Sequence, residues 1–320
     1  MINKKILLGS LSVIVCEVLF GFSYLFTKMI TDSIPPLTLI SWRFIFAFLF
    51  MNICIIMGII KVDFRNKSIS SLFFMAMFQP FLYFIGETIG INLTSASESG
   101  VILASIPIVT LSFSALILKK IPTRIQITGV IITAIGIIVI TLAKGMEATF
   151  NPIGYIMLFL AVISYSLYAI FSEKAVEFTS TEKTYAMITF GAVLFTFIAL
   201  IENLDAGTLE DFFVLPFTNL NFLIAVLYLS ISCSVVAFLL YNLAISYIGT
   251  NKSASFVGVS TIVTVMASIV ILKEQVTFIQ ILGATLVITG VYLANVVCES
   301  SKSEGEQHIK EIVSGDTYQS

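Results

Sequence analysis

The chain has 320 residues, 58% of them hydrophobic and 11% charged, with a mean hydropathy of +1.04 and a formal net charge of −2. Soluble domains run near about 45–50% apolar and about 25% charged, so the composition excludes a soluble globular protein, and the weak net charge points to no nucleic-acid partner. Apolar runs of about 18–25 residues suit helices crossing a ~30 Å hydrocarbon core rather than the ~10-residue alternating strands of outer-membrane barrels.

Charged or turn-rich breaks divide the chain into ten predicted spans, at 7–30, 35–60, 69–91, 97–118, 125–143, 153–173, 184–202, 219–246, 252–272 and 278–298. The first follows Lys4 and Lys5 but is too long for a signal peptide, lacks a small-residue cleavage site and contains Glu17. A carboxylate near a bilayer centre costs roughly 2.5–3.5 kcal/mol on insertion scales and is a functional-site hypothesis by default. Glu17, Gly21, Tyr24 and Lys28 follow a 4-3-4 spacing and share one helix face. Arg43 in the second span and Glu87 in the third are the other intramembrane ionisable residues. Gln79, Tyr83, Glu87 and Gly90 form a polar stripe in span three, and Tyr165, Tyr168 and Ser172 one in span six. Span four carries Ser99, Thr110 and Ser114 and is interrupted by Pro107; span nine carries Ser253, Ser260 or Thr261, Thr264 and Ser268. The polar tail 299–320 holds the single histidine, His308, and is expected to be disordered.

Cations concentrate in cytoplasmic loops. With a cytoplasmic N-terminus, the inside receives Lys4, Lys5, Lys61, Arg65, Lys67, Lys119, Lys120, Arg124, Lys174, Lys183, Lys252, Lys302 and Lys310, while the outside receives Lys28, Lys144 and Lys273. Both termini are therefore expected inside, with the protein in the plasma membrane of a prokaryote. Residues 98–136 align without a gap on 252–290 at a constant offset of 154: Ser99/Ser253, Val109/Val263, Thr110/Thr264, Ser114/Ser268, Gln126/Gln280, Gly129/Gly283 and Gly136/Gly290 coincide. LFGFSYLFTK (19–28) matches the stretch ending in SYSLYAIFSEK (164–174) more loosely. Five spans per half is an odd number, so the halves enter the membrane from opposite sides. The expected fold is an all-α integral membrane protein of ten transmembrane helices in a 5+5 inverted-topology repeat, with repeats at 1–143 and 153–298, an arrangement that places transporter sites near the midplane between the halves.

The sequence resembles the EamA-type proteins of the drug/metabolite transporter superfamily over residues 7–298. The likeness rests on the ten spans, Gly21-Phe22-Ser23 after an early Glu, Pro36 with Arg43, and Gln-x-x-Gly-x(6)-Gly closing each half. The resemblance implies a central cavity lined by spans one, three, four, six, eight and nine, with spans five and ten peripheral. Lys119-Lys120 stands where the second half has Lys273-Glu274, a departure between the halves.

Candidate substrate- or ion-binding residues are Glu17, Tyr24, Arg43, Gln79, Tyr83, Glu87, Tyr165, Tyr168 and Tyr241, with Lys28 and Pro107 as gating candidates. A phenol offers apolar surface and a hydrogen-bonding tip, which suits a small amphiphilic metabolite such as an amino acid. Glu17 and Arg43 could meet across adjacent helices, either as a permanent salt bridge or as a pair in which Glu17 exchanges Arg43 for a proton or a cationic group. Glu87, matched by Tyr241 in the second half, could contact Lys28 as an outer gate. The serines and threonines have a plain structural role available in close helix packing, as do Gly129, Gly136, Gly283 and Gly290. Pro107 can kink span four; its repeat partner is Thr261, so the halves should bend differently.

The expected function is secondary transport, as exporter or exchanger, by alternating access, with possible proton coupling through Glu17. No Walker-type loop offers direct ATP drive. Cys16, Cys54, Cys233 and Cys298 lack metal-like or disulfide-like spacing, so neither metal nor cofactor is expected. Every aspartate, Asp32, Asp63, Asp205, Asp211 and Asp316, falls in a loop or the tail, which leaves an intramembrane enzyme without an aspartyl pair or Ser–His dyad. A channel or lipid-translocating pathway is the remaining alternative. The expected partners are the substrate and membrane lipid, with a homodimer through spans five and ten conceivable.

Overall fold

The computed structural model describes residues 4–65, 67–119, 122–143, 151–271, 277–279, 281–290 and 292–293. The tail with His308, the side chain of Ser268, and the Lys120, Lys273 and Glu274 positions lie outside them. Among the described residues all regular structure is helical, and seven helices are long and apolar enough to cross a membrane. Helices α1 (Lys4–Thr31) and α2 (Pro36–Ile56) fill the first two predicted spans. Pro36 opens α2 at a position where its missing N–H is no loss. The third is α3 (Ser70–Ala76) and α4 (Tyr83–Leu93), joined by π-helical Met77–Leu82. The fourth is α5 (Ala96–Leu103) and α6 (Ile106–Ile117), followed by α7 (Arg124–Ala143).

In the second half, Asn151 caps α8 (Pro152–Lys174) by accepting from Ile153 N and Gly154 N. A reciprocal box between Thr179 and Glu182 starts α9 (Ser180–Asp205). A short amphipathic helix, α10 (Leu209–Thr218), was not among the predicted elements; it lies against α2, where the Trp42 indole donates to Phe212 O at 3.1 Å and stacks on its ring. Then come α11 (Leu220–Leu227), π-helical Tyr228–Ala237, α12 (Phe238–Ile248), α13 (Thr250–Ser255), α14 (Gly258–Ile271) and α15 (Ile281–Gly290).

The helix interruptions correct one expectation. Pro107 does sit at a break, in the first turn of α6, but the second half breaks too, between α13 and α14, without a proline. Both breaks tighten into i→i−3 bonds, Ser105 N to Ile102 O at 2.9 Å and Val257 N to Ala254 O at 3.1 Å. In span three, Gln79 leaves helical geometry at φ −140°, ψ 116°, as the residue before Pro80 is biased to do. At the 154 offset Gln79 corresponds to Cys233, inside the π-helical stretch of the second half.

Packing crosses between the halves reciprocally: α4 lies along α8 and α1 along α12; α6 packs on α8 and α14 on α1; α2 packs on α9. The glycines of α7 and α15 show the same exchange. A Cβ on Gly136 would meet Gly283 O at 2.7 Å, and one on Gly290 would meet Gly129 O at 2.5 Å, so the two helices cross with their backbones in contact. Asn242 of α12 ties in two neighbours: its Oδ1 accepts from Tyr168 OH at 2.9 Å and Ser172 Oγ at 2.8 Å, and its Nδ2 donates to Thr184 Oγ1 at 3.1 Å. Large apolar side chains such as Leu7, Leu11, Val15, Phe159 and Phe197 face outward along the long helices, where lipid tails would meet them.

Two substitutions test this packing. Gly290→Ala is expected to lower the stability of the purified protein by about 1–3 kcal/mol through overpacking, read as a lower thermal midpoint. Asn242→Ala leaves the buried Tyr168 and Ser172 hydroxyls without their acceptor and is expected to cost about 1–3 kcal/mol; an unchanged midpoint would show that the three-helix tie contributes nothing.

Candidate functional site

The site starts from a missing side chain. A Cβ on Gly21 would lie 2.5 Å from Val263 and 2.8 Å from Ser260 O, so only glycine lets α1 approach α14 this closely. Thr264 Oγ1 then donates to Gly21 O at 2.9 Å and pins the crossing. One turn earlier on α1, Glu17 arrives on the side of the α13–α14 break that holds Ser260, with Tyr24 on the same face of α1. Ser260 donates to Val257 O at 2.6 Å. Glu17 is 1% exposed and its Oε1 has no hydrogen-bond partner.

A second glycine pair builds the facing wall. A Cβ on Gly86 would meet Met157 O at 2.5 Å, and one on Gly90 would meet Leu158 at 2.6 Å, so α4 lies close on α8. That approach sets Tyr83 against Tyr165, with ring centroids 5.5 Å apart. Tyr83 OH donates to Glu87 Oε1 at 2.8 Å, and Glu87 Oε2 stays unpartnered. Tyr165 continues to Tyr241 at 5.2 Å and to Tyr168 at 5.9 Å. The hydroxyls of Tyr165 and Tyr241 are buried without partners. The result is a seam of carboxylates and phenols contributed by α1, α4, α8 and α12, with several hydrogen-bonding positions unfilled.

The charged residues separate differently from the sequence expectation. Arg43 makes no ion pair with Glu17: its Nε donates to Ser234 Oγ at 2.8 Å, and its guanidinium lies 4.3 Å from the Phe84 ring centroid. It acts electrostatically on Glu87 and Tyr83 instead. The reason is placement, because α2 packs on α9 and the π-helical Tyr228–Ala237 segment and barely touches α1. Lys28 does not reach Glu87 either; it donates to Asn92 O at 3.1 Å and pairs with Asp32 at 3.1 Å, closing the ends of α1 and α4 together. Gln79 is buried at the α3–α4 break with its Oε1 unpartnered, and Pro107 is buried at the start of α6.

Several of the threonines and serines act as packing ties. Thr110 Oγ1 donates to Ser166 Oγ at 3.0 Å, matching the Thr264–Gly21 tie in the other half, and Thr261 Oγ1 donates to Gly100 O at 3.0 Å. Sequence reading passed over Asn242, Ser234 and the Lys67–Glu182 ion pair, whose Nζ and Oε2 are 2.7 Å apart. Asn242 had a signal, a carboxamide inside an apolar run, since such groups bond across helices. Glu182 had the Thr-x-x-Glu pattern of a helix start, but nothing that pointed to Lys67.

The sequence model of the EamA-like transporter family matches residues 7–142 and again residues 152–296. A protein of Bacillus subtilis (strain 168) named "Uncharacterized transporter YcxC" is 33% identical over 90% of this chain and 93% of its own length. "Uncharacterized transporter YyaM" of the same organism is 24% identical over 88% of this chain and 92% of its own, and an "Uncharacterized transporter" of Archaeoglobus fulgidus is 21% identical over 86% and 94%. A solved crystal structure superposes with a TM-score of 0.63 at 16% identity, covering 91% of this chain and 98% of that one, a likeness of fold. With the family match running through both halves and a relative of similar length one-third identical, the chain belongs to the EamA-like transporter family and is a multi-pass membrane protein.

Proposed function

We propose that the protein is a secondary active transporter of ten spans in a 5+5 inverted repeat, with repeats at 1–143 and 153–298 and both termini cytoplasmic in a prokaryotic plasma membrane. It moves a small amphiphilic metabolite, as exporter or exchanger, by alternating access, without nucleic-acid or cofactor partners. The observation that carries this reading is Glu17: a fully buried carboxylate oxygen without a partner, at the contact between α1 of one half and α14 of the other. An uncompensated carboxylate in a low-dielectric interior is strongly unfavourable. The site is complete only with a proton on the carboxyl group or with a cationic group of the solute beside it.

Arg43 does not supply that compensation, being held on Ser234 and Phe84. A bound ammonium would meet Glu17 and the faces of Tyr165 and Tyr241, a favourable setting for a cation. The free phenol hydroxyls would meet polar atoms elsewhere on the solute. Competition between a proton and a cationic group for one carboxylate couples their movements, since each can bind only when the other has left. Reciprocal packing of the halves supports the rocking that exchange requires. Burial of every seam residue favours this reading over a continuously open channel.

The test is gradient-driven movement in proteoliposomes across a metabolite panel that pairs amines with their des-amino analogues. Amines are expected to be transported and their neutral analogues not. Glu17→Gln is expected to reduce gradient-driven transport by at least about tenfold, the loss that accompanies about 1.4 kcal/mol of differential binding. Undiminished gradient-driven transport in Glu17→Gln would remove the role assigned to this carboxylate.

A further inference from the structure

The two ends of the molecule are closed differently. At the lysine-rich end, Lys67 reaches from the start of the α3 arm to the start of α9, where its Nζ lies 2.7 Å from Glu182 Oε2. Glu182 Oε1 accepts from the backbone N of Asp63 at 3.1 Å, so the connection between α2 and α3 is tied to the second half by side chain and main chain together. The Lys67 ammonium lies 5.4 Å from the Phe178 ring centroid, and Phe64 packs on Phe178 and Tyr185 around the pair. Glu182 is 4% exposed, so the ion pair is shielded on one side from water and salt.

The repeat provides the comparison. At the 154 offset Lys67 corresponds to Asn221, at the start of α11. The α8–α9 connection beside Glu182 corresponds to the α1–α2 connection, and matching Lys28 with Lys174 sets Pro36 opposite Glu182. Both charges of the ion pair are therefore missing at the other end. There a cleft of about 300 Å³ lies between the start of α11 and the end of α1, lined by Phe26, Met29, Ile34, Asn219, Asn221 and Ile224. At the floor of this region Phe26 packs on Tyr228 with centroids 4.5 Å apart, and Tyr228 OH donates to Leu19 O at 2.9 Å, two residues from Glu17.

We propose that Lys67–Glu182 is the bolt of a gate at the lysine-rich end, and that the Asn221 cleft is the repeat-related gate of the same conformation standing open. The inference rests on the alternating-access reading above and adds the state and the groups that hold it. In the opposite state Lys67 releases Glu182, and the start of α11 closes on Ser33 and Ile34. Among the described residues the ion pair at the Asn221 end, Lys28–Asp32, lies at the end of α1, whereas Lys67–Glu182 ties one half to the other, so the balance between states is weighted toward this conformation and is sensitive to a single charge.

The experiment uses the full-length protein in detergent, where a hydrophilic maleimide reaches both ends, with the four native cysteines replaced by alanine. Asn221→Cys reports on the cleft and Ala175→Cys, a buried position at the end of α8 in the connection that leads to Glu182, on the bolted end. With the bolt intact, Asn221→Cys should react readily and Ala175→Cys slowly. Lys67→Gln, which spares the Thr179–Glu182 capping box, should raise labelling at Ala175→Cys and lower it at Asn221→Cys, with the ratio of the two rates shifting by about fivefold, the size of a partly exposed ion pair worth about 1 kcal/mol. Lys67→Arg should keep the original pattern.

A rise at Ala175→Cys with no fall at Asn221→Cys would make the pair a local tether and overturn the proposal, as would no change at either reporter. Rapid labelling of both reporters while Lys67 is intact would instead defeat alternating access itself, a separate failure.

Discussion

The closeness of α1 to α14 is the constraint on which the centre of the molecule depends. Gly21 has no room for a Cβ against Val263 and the Ser260 carbonyl, and Thr264 donates directly to its backbone oxygen. Between membrane helices, where apolar burial supplies little association energy, small residues and hydrogen-bonding hydroxyls supply the contact. The consequence is that Glu17 is carried inside without a cation of its own. The facing wall is set by the same physics, since Gly86 and Gly90 let α4 sink onto α8 and bring Tyr83 and Glu87 against Tyr165.

The two buried carboxylates are not equivalent. Glu87 has a phenol donor on one oxygen and the Arg43 guanidinium acting on it from the far side, so part of its charge is answered within the protein. Glu17 has an unpartnered Oε1, and the neighbouring Ser260 gives its hydroxyl hydrogen to Val257 O. In the transport cycle proposed above, Glu87 and Arg43 are the fixed charges and Glu17 is the group whose partner changes.

Much of the architecture was legible in the sequence, for reasons that differ between its parts. The long apolar runs announce helices because lipid leaves the backbone no other way to satisfy itself. Glu17 stood out because its surroundings are apolar, and the tyrosines because helical spacing gathered them on one face. The partner of Arg43 could not be read in the same way. Adjacency in sequence predicts α1 beside α2, yet α2 is bound to α9 and the π-helical Tyr228–Ala237 segment, so Arg43 ends on Ser234. The rotation and depth of one helix against another depend on contacts from elsewhere in the chain, such as Trp42 on Phe212, that no local pattern encodes.

The helix breaks were also hidden, although they are ordered by the repeat. Pro80 explains why Gln79 leaves helical geometry, but the matching position, Cys233, has no proline and sits in a π-helical stretch. Likewise Pro107 opens α6, while its counterpart region breaks between α13 and α14 with Gly258 at the new start. A break that persists at matched positions after the proline is lost is imposed by the fold's symmetry more than by the local residue. Interrupted helices leave backbone groups that bond only where protein or a polar cavity meets them, and π-helical stretches recur at functional sites. Here the interruptions fall in spans three, four, eight and nine, the elements that face α1 and α8 across the carboxylate–phenol seam. The two halves thus carry matched helix interruptions around the same centre, and what distinguishes Lys67 from its counterpart is side-chain chemistry: an ion pair with Glu182 at one end, an uncharged Asn221 at the other.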